Sequence, residues 1–199
     1  MSMVYQQDGT ILVGMANGTL EVFTFQQSSL TPANHIVNEI KVPYANEIYC
    51  IRVNNSTQEI ALATFSGLFF GRFEVGPQGR PYYVWVQEKV YFRDKLISHL
   101  CQIRPGFFLV AEYSKTGYWL VDRNEPDKDP EKVEDLRPEH NSGCTNLEMM
   151  PMYDPKWFPY VLSRTKFKLD LVDLVDKKVL TLSVEANTSA MTPKMVIQT

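Results

Sequence analysis

No apolar run in this chain approaches the roughly 20 residues that a membrane-crossing helix needs; apolar stretches such as residues 11–13, 107–111 and 118–121 have the size of strands. Residues 1–18 lack a basic segment followed by an apolar one, so no secretory leader is expected and the expected location is the cytoplasm. Cysteine is scarce. Cys50, Cys101 and Cys144 are an odd number, widely spaced and never in a C-x-x-C pair, which argues for reduced, buried thiols rather than a disulfide framework. The three histidines, His35, His99 and His140, have no neighbour at metal-ligand spacing, and H-E-x-x-H, G-x-S-x-G, P-loop and G-x-G-x-x-G patterns are all absent. No metal and no organic cofactor is therefore expected. A net charge of −3 gives no electrostatic reason for nucleic acid or for an anionic membrane.

What the chain does have is a repeat. Residues 10–25, 59–74, 107–122 and 159–173 share one grammar: an apolar strand, a small polar turn, a second apolar strand. The turn glycines Gly18, Gly67 and Gly117 follow at steps of 49 and 50, and Lys166 takes the same place one step of 49 later. A fixed period in this range marks a repeat architecture. Each hairpin is preceded by a further apolar stretch (residues 48–53, 96–103 and 146–152). Another follows at 35–42, 82–90 and 177–184. Apolar and polar residues alternate with period two, which gives about four short antiparallel strands per fifty residues. Residues 131–137 read either as two helical turns ended by Pro138 or as a weak outer strand of the third copy. Residues 122–139 hold eight acids and four bases, with three prolines, and read as a solvated loop. Asn17-Gly18-Thr19 matches a glycosylation acceptor but is read as a turn.

Four antiparallel strands repeated radially at this spacing describe a β-propeller blade. The expected fold class is all-β, with four tandem four-stranded antiparallel sheets as blades at approximately 1–45, 46–93, 94–143 and 144–184. Val121-Asp122 and Val172-Asp173 stand where WD-repeat propellers often carry Trp-Asp at the end of a third strand, and Asp8-Gly9-Thr10 resembles their turn before the second strand. The chain thus resembles a divergent WD-repeat-like propeller. It has neither Gly-His nor Trp-Asp, so that family's polar hydrogen-bond set does not carry over. Residues 194–199 resemble residues 2–7, which makes 185–199 a tail or the start of a further blade and points to a propeller completed by more chain or another subunit.

The resemblance implies a non-catalytic protein–protein interaction scaffold within a larger cytoplasmic assembly. The alternative is a propeller-type, hydrolase-like enzyme with a channel active site, for which the inner strands offer only Glu148 and His99. In a propeller the connections from outer to next inner strand, and from second to third strand, emerge on one rim. They place Tyr44, Arg93, Asp94 and Lys115 there as tentative binding residues. Tyrosine and arginine lead because they are enriched at binding hot spots. The aromatic group Phe65, Phe69, Phe70, Phe73, Tyr82, Tyr83, Trp85, Tyr91 and Phe92 reads as packing between blades.

Overall fold

The computed structural model describes residues 2–5, 10–25, 35–54, 57–75, 83–113, 118–135, 146–151, 160–165 and 169–183. Among them are sixteen strands and no helix. The first sheet is β1 (Ser2–Tyr5), β2 (Thr10–Gly14), β3 (Thr19–Phe25) and β4 (His35–Lys41), hydrogen-bonded in that order. The second is β5 (Ile48–Asn54), β6 (Glu59–Thr64), β7 (Gly67–Val75) and β8 (Tyr83–Tyr91), again in sequence order. The third comprises β9 (Ile97–Arg104), β10 (Phe107–Glu112), β11 (Tyr118–Asp122) and β12 (Glu131–Asp135). The fourth comprises β13 (Asn146–Pro151), β14 (Tyr160–Thr165), β15 (Leu169–Asp173) and β16 (Lys178–Ser183). The fold is all-β, with four consecutive four-stranded antiparallel sheets, as the repeat predicts. One feature departs from separate blades: β12 and β16 pair in parallel over Glu134↔Lys178 and Asp135↔Val179, joining the third and fourth sheets at their outer edges. Residues 131–135 are thus a strand and not a helix.

The chain divides into two compact units, Met1–Leu100 and Cys101–Thr199. In the first unit, Leu12, Leu20, Val22, Ile40 and Val42 of the first sheet and its exit meet Ile48, Ile51, Leu62, Phe69 and Trp85 of the second in one core. Each such side chain contributes about 1.5–3 kcal/mol by leaving water. The second sheet is buried on both faces. Neighbours Phe69 and Phe70 point to opposite sides and both are shielded, Phe70 lying edge-on to Tyr91 at 5.9 Å between centroids. Trp85 Nε1 and the Tyr91 hydroxyl are buried there without a hydrogen-bond partner among the described residues.

Two glycines are fixed by contact. At Gly18 (φ 77°) a Cβ would lie 2.0 Å from the carbonyl oxygen of Ala45, in the turn that passes from the first sheet to the second. Beside it Asn17 Oδ1 accepts from the Thr19 amide (3.1 Å) and hydroxyl (2.7 Å), so this Asn-Gly-Thr is a turn device, as read from the sequence. At Gly71 a Cβ would lie 2.5 Å from both Trp85 Cζ2 and the Val86 carbonyl oxygen, beside a bulge in the β7–β8 ladder.

In the second unit Leu109, Ala111, Tyr118, Leu120, Val133, Val161, Val172 and Val179 form the core. Within it the Tyr118 hydroxyl donates to Asp170 Oδ2 (3.0 Å) and lies 2.8 Å from Ser163 Oγ, whose proton it can accept, both residues being fully buried. Asp122 and Asp173 end β11 and β15 and cap the turns that follow. Asp122 Oδ1 accepts from the Asn124 amide at 2.9 Å, and Asp173 Oδ1 from those of Val175 (2.8 Å) and Asp176 (3.0 Å). Cys50 and Cys101 are buried and in no disulfide; Cys144 and residues 185–199 lie outside the described residues.

Gly71→Ala tests the close approach of β7 and β8. The new methyl must displace an indole and a backbone carbonyl, so unfolding in urea should show a loss of about 2–3 kcal/mol, whereas an unchanged midpoint would show that the two strands separate freely.

Candidate ligand-binding pocket on the rim

Three connections of the first unit meet at one end of the first two sheets: residues 42–47, the β6–β7 turn at 64–67, and residues 92–95. Ser66 ties them together. Its hydroxyl donates to the Tyr44 carbonyl oxygen (2.7 Å) and accepts from the Asn46 amide (3.2 Å), while its carbonyl oxygen accepts from the Asp94 amide (3.1 Å). The turn is set by Thr64, whose buried hydroxyl donates to the Gly67 carbonyl oxygen (2.9 Å) and accepts from the Ser66 amide (3.1 Å). The Phe65 amide adds a bond to the Glu47 carbonyl oxygen at 3.0 Å.

The backbone here is strained. Tyr44 (φ 63°), Phe92 (φ 53°) and Asp94 (φ 61°) are three of the five described non-glycine residues in the left-handed region. For an aromatic residue that conformation is a true outlier, and each instance costs on the order of 1–3 kcal/mol. Such strain persists only where surrounding bonds over-determine it, as the Ser66 bonds do on both sides.

The connections enclose a pocket of about 160 Å³ lined by Tyr44, Ser66, Phe69, Gln87, Val90, Arg93 and Asp94. Phe69 and Val90, directly paired across β7 and β8, are its apolar floor. Arg93, Asp94 and Gln87 are exposed, and Tyr44 is 86% exposed, its ring standing in solvent at the pocket mouth. The arrangement can hold a small polar group: an apolar surface beneath, one guanidinium, one carboxylate, an amide and a phenol around it.

Of the residues expected on the rim, the structure brings Tyr44, Arg93 and Asp94 into one pocket; Lys115 lies outside the described residues. Phe69 is expected from the sequence as packing between blades, and Gln87 and Val90, which lie within a strand, carry no rim signal. The cross-strand pairing of Phe69 with Val90 is the clue that could have found them. The inner-strand candidates do not form a site with this pocket. His99 is half-buried in β9, and burial, reinforced by the nearby Arg52 cation, pushes its pKa down to about 4. It is neutral near pH 7. Burial likewise pushes the Cys50 thiol up, so it is not a ready nucleophile. Nothing is described of the Glu148 side chain. Among the described residues no group of three or more His, Cys, Asp or Glu side chains is placed to hold a metal ion.

No family model matches the chain, and no curated protein does. Solved structures share its fold. The extracellular domain of the candidate one-component system BT4673 from B. thetaiotaomicron superposes with TM-score 0.61 at 17% identity, over 94% of this chain and 25% of that one. A candidate 6-phosphogluconolactonase from Bacteroides uniformis gives TM-score 0.59 at 12% identity, and one from Bacteroides fragilis 0.57 at 12%, each over 94% of this chain and 57% of the other. This chain therefore spans between a quarter and somewhat over half of the structures it matches. The class of protein is β-propeller-like.

The expectation of a non-catalytic interaction scaffold in a cytoplasmic assembly is corrected here. The solved structures that share the fold are two candidate 6-phosphogluconolactonases and the extracellular domain of a candidate one-component system, so the likeness supplies no cytoplasmic scaffold. Where Tyr44, Arg93 and Asp94 meet, the rim is a concavity of about 160 Å³, the size of a chemical group.

Two outcomes follow from this geometry. In the unfolded chain His99 takes up its proton near its ordinary 6.5, in the folded chain only near 4. Between those values the unfolded state binds more protons, so this contribution is complete above pH 6.5 and lost as the pH falls toward 4. Urea midpoints at pH 7, 5.5 and 4.5 should show a decline of about 2–3 kcal/mol in total, flattened in His99→Gln; an equally steep decline in that variant would assign the effect elsewhere. Tyr44→Gly should leave stability unchanged or raise it by up to about 1 kcal/mol, because relief of left-handed strain offsets the entropy of glycine and an exposed ring loses little packing. A clear loss of stability would show that the Tyr44 ring is a structural prop.

Proposed function

We propose that the chain is a segment of a propeller-type, hydrolase-like enzyme and that the rim pocket of its first unit supplies substrate recognition. One observation carries the reading: three strained residues, Tyr44, Phe92 and Asp94, lie in the connections that Ser66 ties around a single polar pocket. Strain of this kind collects at ligand clamps. The likeness to candidate 6-phosphogluconolactonases supports the class of reaction, in which water adds to an acyl carbon and the ring C–O bond opens. The pocket itself recognises rather than reacts. Ser66 is committed to holding the Tyr44 carbonyl, and no histidine lines the site. Kinship with WD-repeat propellers belongs to the same proposal. Asp122 and Asp173 support it by capping the turns after their third strands, although the sequence lacks Trp-Asp.

The test is hydrolysis of a panel of lactones and simple esters by the whole purified chain, followed by acid release. The expected outcome is turnover of at least one lactone, with KM raised about tenfold in Arg93→Ala through loss of a charge-assisted contact. Absence of turnover across the panel would remove the hydrolase reading.

A further inference from the structure

We infer that the rim pocket selects a small hydroxylated carboxylate, the end of a hydroxy acid, with Arg93 as the residue that determines charge preference; this rests on the reading of the rim pocket as a recognition site. Size gives the first limit. The pocket holds about 160 Å³ and is open to solvent at the mouth where Tyr44 stands. It therefore sizes the group seated at the end of a ligand rather than the whole ligand, and a carboxylate with two or three hydroxylated carbons suits it.

Charge gives the second limit. Arg93 is the only cation among the lining residues and Asp94 the only anion, and neither side chain has a hydrogen-bond or ion-pair partner among the described residues. A guanidinium fork presents paired donors that match a carboxylate or phosphate. The neighbouring Lys95, whose ammonium lies 5.7 Å from the Phe92 ring centroid, leaves the 92–95 connection with a net charge of +1 and favours an anion over a cation. Glu47 does not offset this inside the pocket: it is not among the lining residues, and Oε2 accepts from the Tyr49 hydroxyl at 2.8 Å.

Asp94 gives the third limit, because an acceptor-only group beside the guanidinium penalises a ligand that is anionic throughout. It instead rewards hydroxyl donors, which Gln87 can also meet. Phe69 and Tyr44 offer apolar surface to the C–H face of such a ligand. The left-handed backbone at Asp94 points the same way: only aspartate, asparagine and glycine take that conformation at low cost, so Asp94→Asn is a variant that keeps the fold while removing the charge.

The experiment titrates the whole chain with D-glycerate, glycerol, inorganic phosphate and ethanolamine, following the backbone amide resonances of Ser66 and Asp94. D-Glycerate is expected to shift both, more tightly than glycerol or phosphate. Arg93→Ala should weaken it about tenfold and 0.5 M salt should weaken it further. Asp94→Asn should bind phosphate severalfold more tightly than the parent while losing its preference for glycerate over phosphate. Equal binding of glycerol and glycerate, or no effect of Arg93→Ala, would overturn the charge assignment while the pocket stands. Preference for phosphate in the parent would overturn the hydroxylated class, and preference for ethanolamine would give the site to Asp94 instead. If no probe moves either amide, the recognition site itself fails, a result distinct from the others.

Discussion

Everything in the first unit depends on a sheet whose two faces are both apolar. Within β6 the residues from Ile60 to Thr64 are buried without a break, and Phe69 and Phe70 of the adjoining strand are shielded on opposite sides. Such a sheet cannot present one face to water, as most antiparallel sheets do. It must be covered by a neighbour, and the first sheet supplies that cover through Leu12, Leu20 and Val22. Backbone approaches are equally tight: the Ala45 carbonyl oxygen at Gly18, and Trp85 with the Val86 carbonyl oxygen of the paired strand at Gly71, leave no room for a methyl group.

Once the faces are committed to packing, freedom remains only where strands end. There the chain must turn from one sheet to the next within a few residues, and the left-handed residues Tyr44, Phe92 and Asp94 mark the cost of those turns. Ser66 offsets part of it by serving two connections with three hydrogen bonds. The pocket is thus a by-product of sheet packing that the sequence has furnished with a guanidinium, a carboxylate and an aromatic ring. In the second unit the same problem of a filled interior is answered differently. The Tyr118 hydroxyl bridges Ser163 and Asp170, so a fully buried carboxylate is satisfied by neighbours from other strands. The likeness to β-propellers lies in the consecutive four-stranded antiparallel sheets, while this buried polar set uses residues of its own.

Strand positions were legible because their cause is local. Alternation with period two and Asn-Gly and Ser-Gly turns act within one hairpin, and the strands expected at 10–25, 35–42, 48–53, 59–74, 82–90, 96–103, 107–122, 146–152, 159–173 and 177–184 lie within one or two residues of their places, while β1 at Ser2–Tyr5 is not among them. The exception is instructive. Residues 131–135 satisfy both a helical and an extended reading, and what settles them is pairing with Tyr118, Trp119 and Leu120, partners supplied by another part of the chain.

The sequence by itself determined the all-β class, the four sheets in order, and the gathering of Tyr44, Arg93 and Asp94 at strand ends, because repeat spacing and blade topology decide which connections share a rim. The tertiary structure alone decided that these residues surround a cavity rather than a flat edge, that Phe69 and Val90 form its floor, and that Ser66 ties the connections together. It also decided that His99 stays neutral near pH 7, since its low pKa comes from burial and from the cation of Arg52 in β5. The physical reason is the same in each case: side-chain period and turn chemistry are set by neighbours in the chain, whereas enclosure, desolvation and cross-connection hydrogen bonds are set by residues some twenty to fifty positions away.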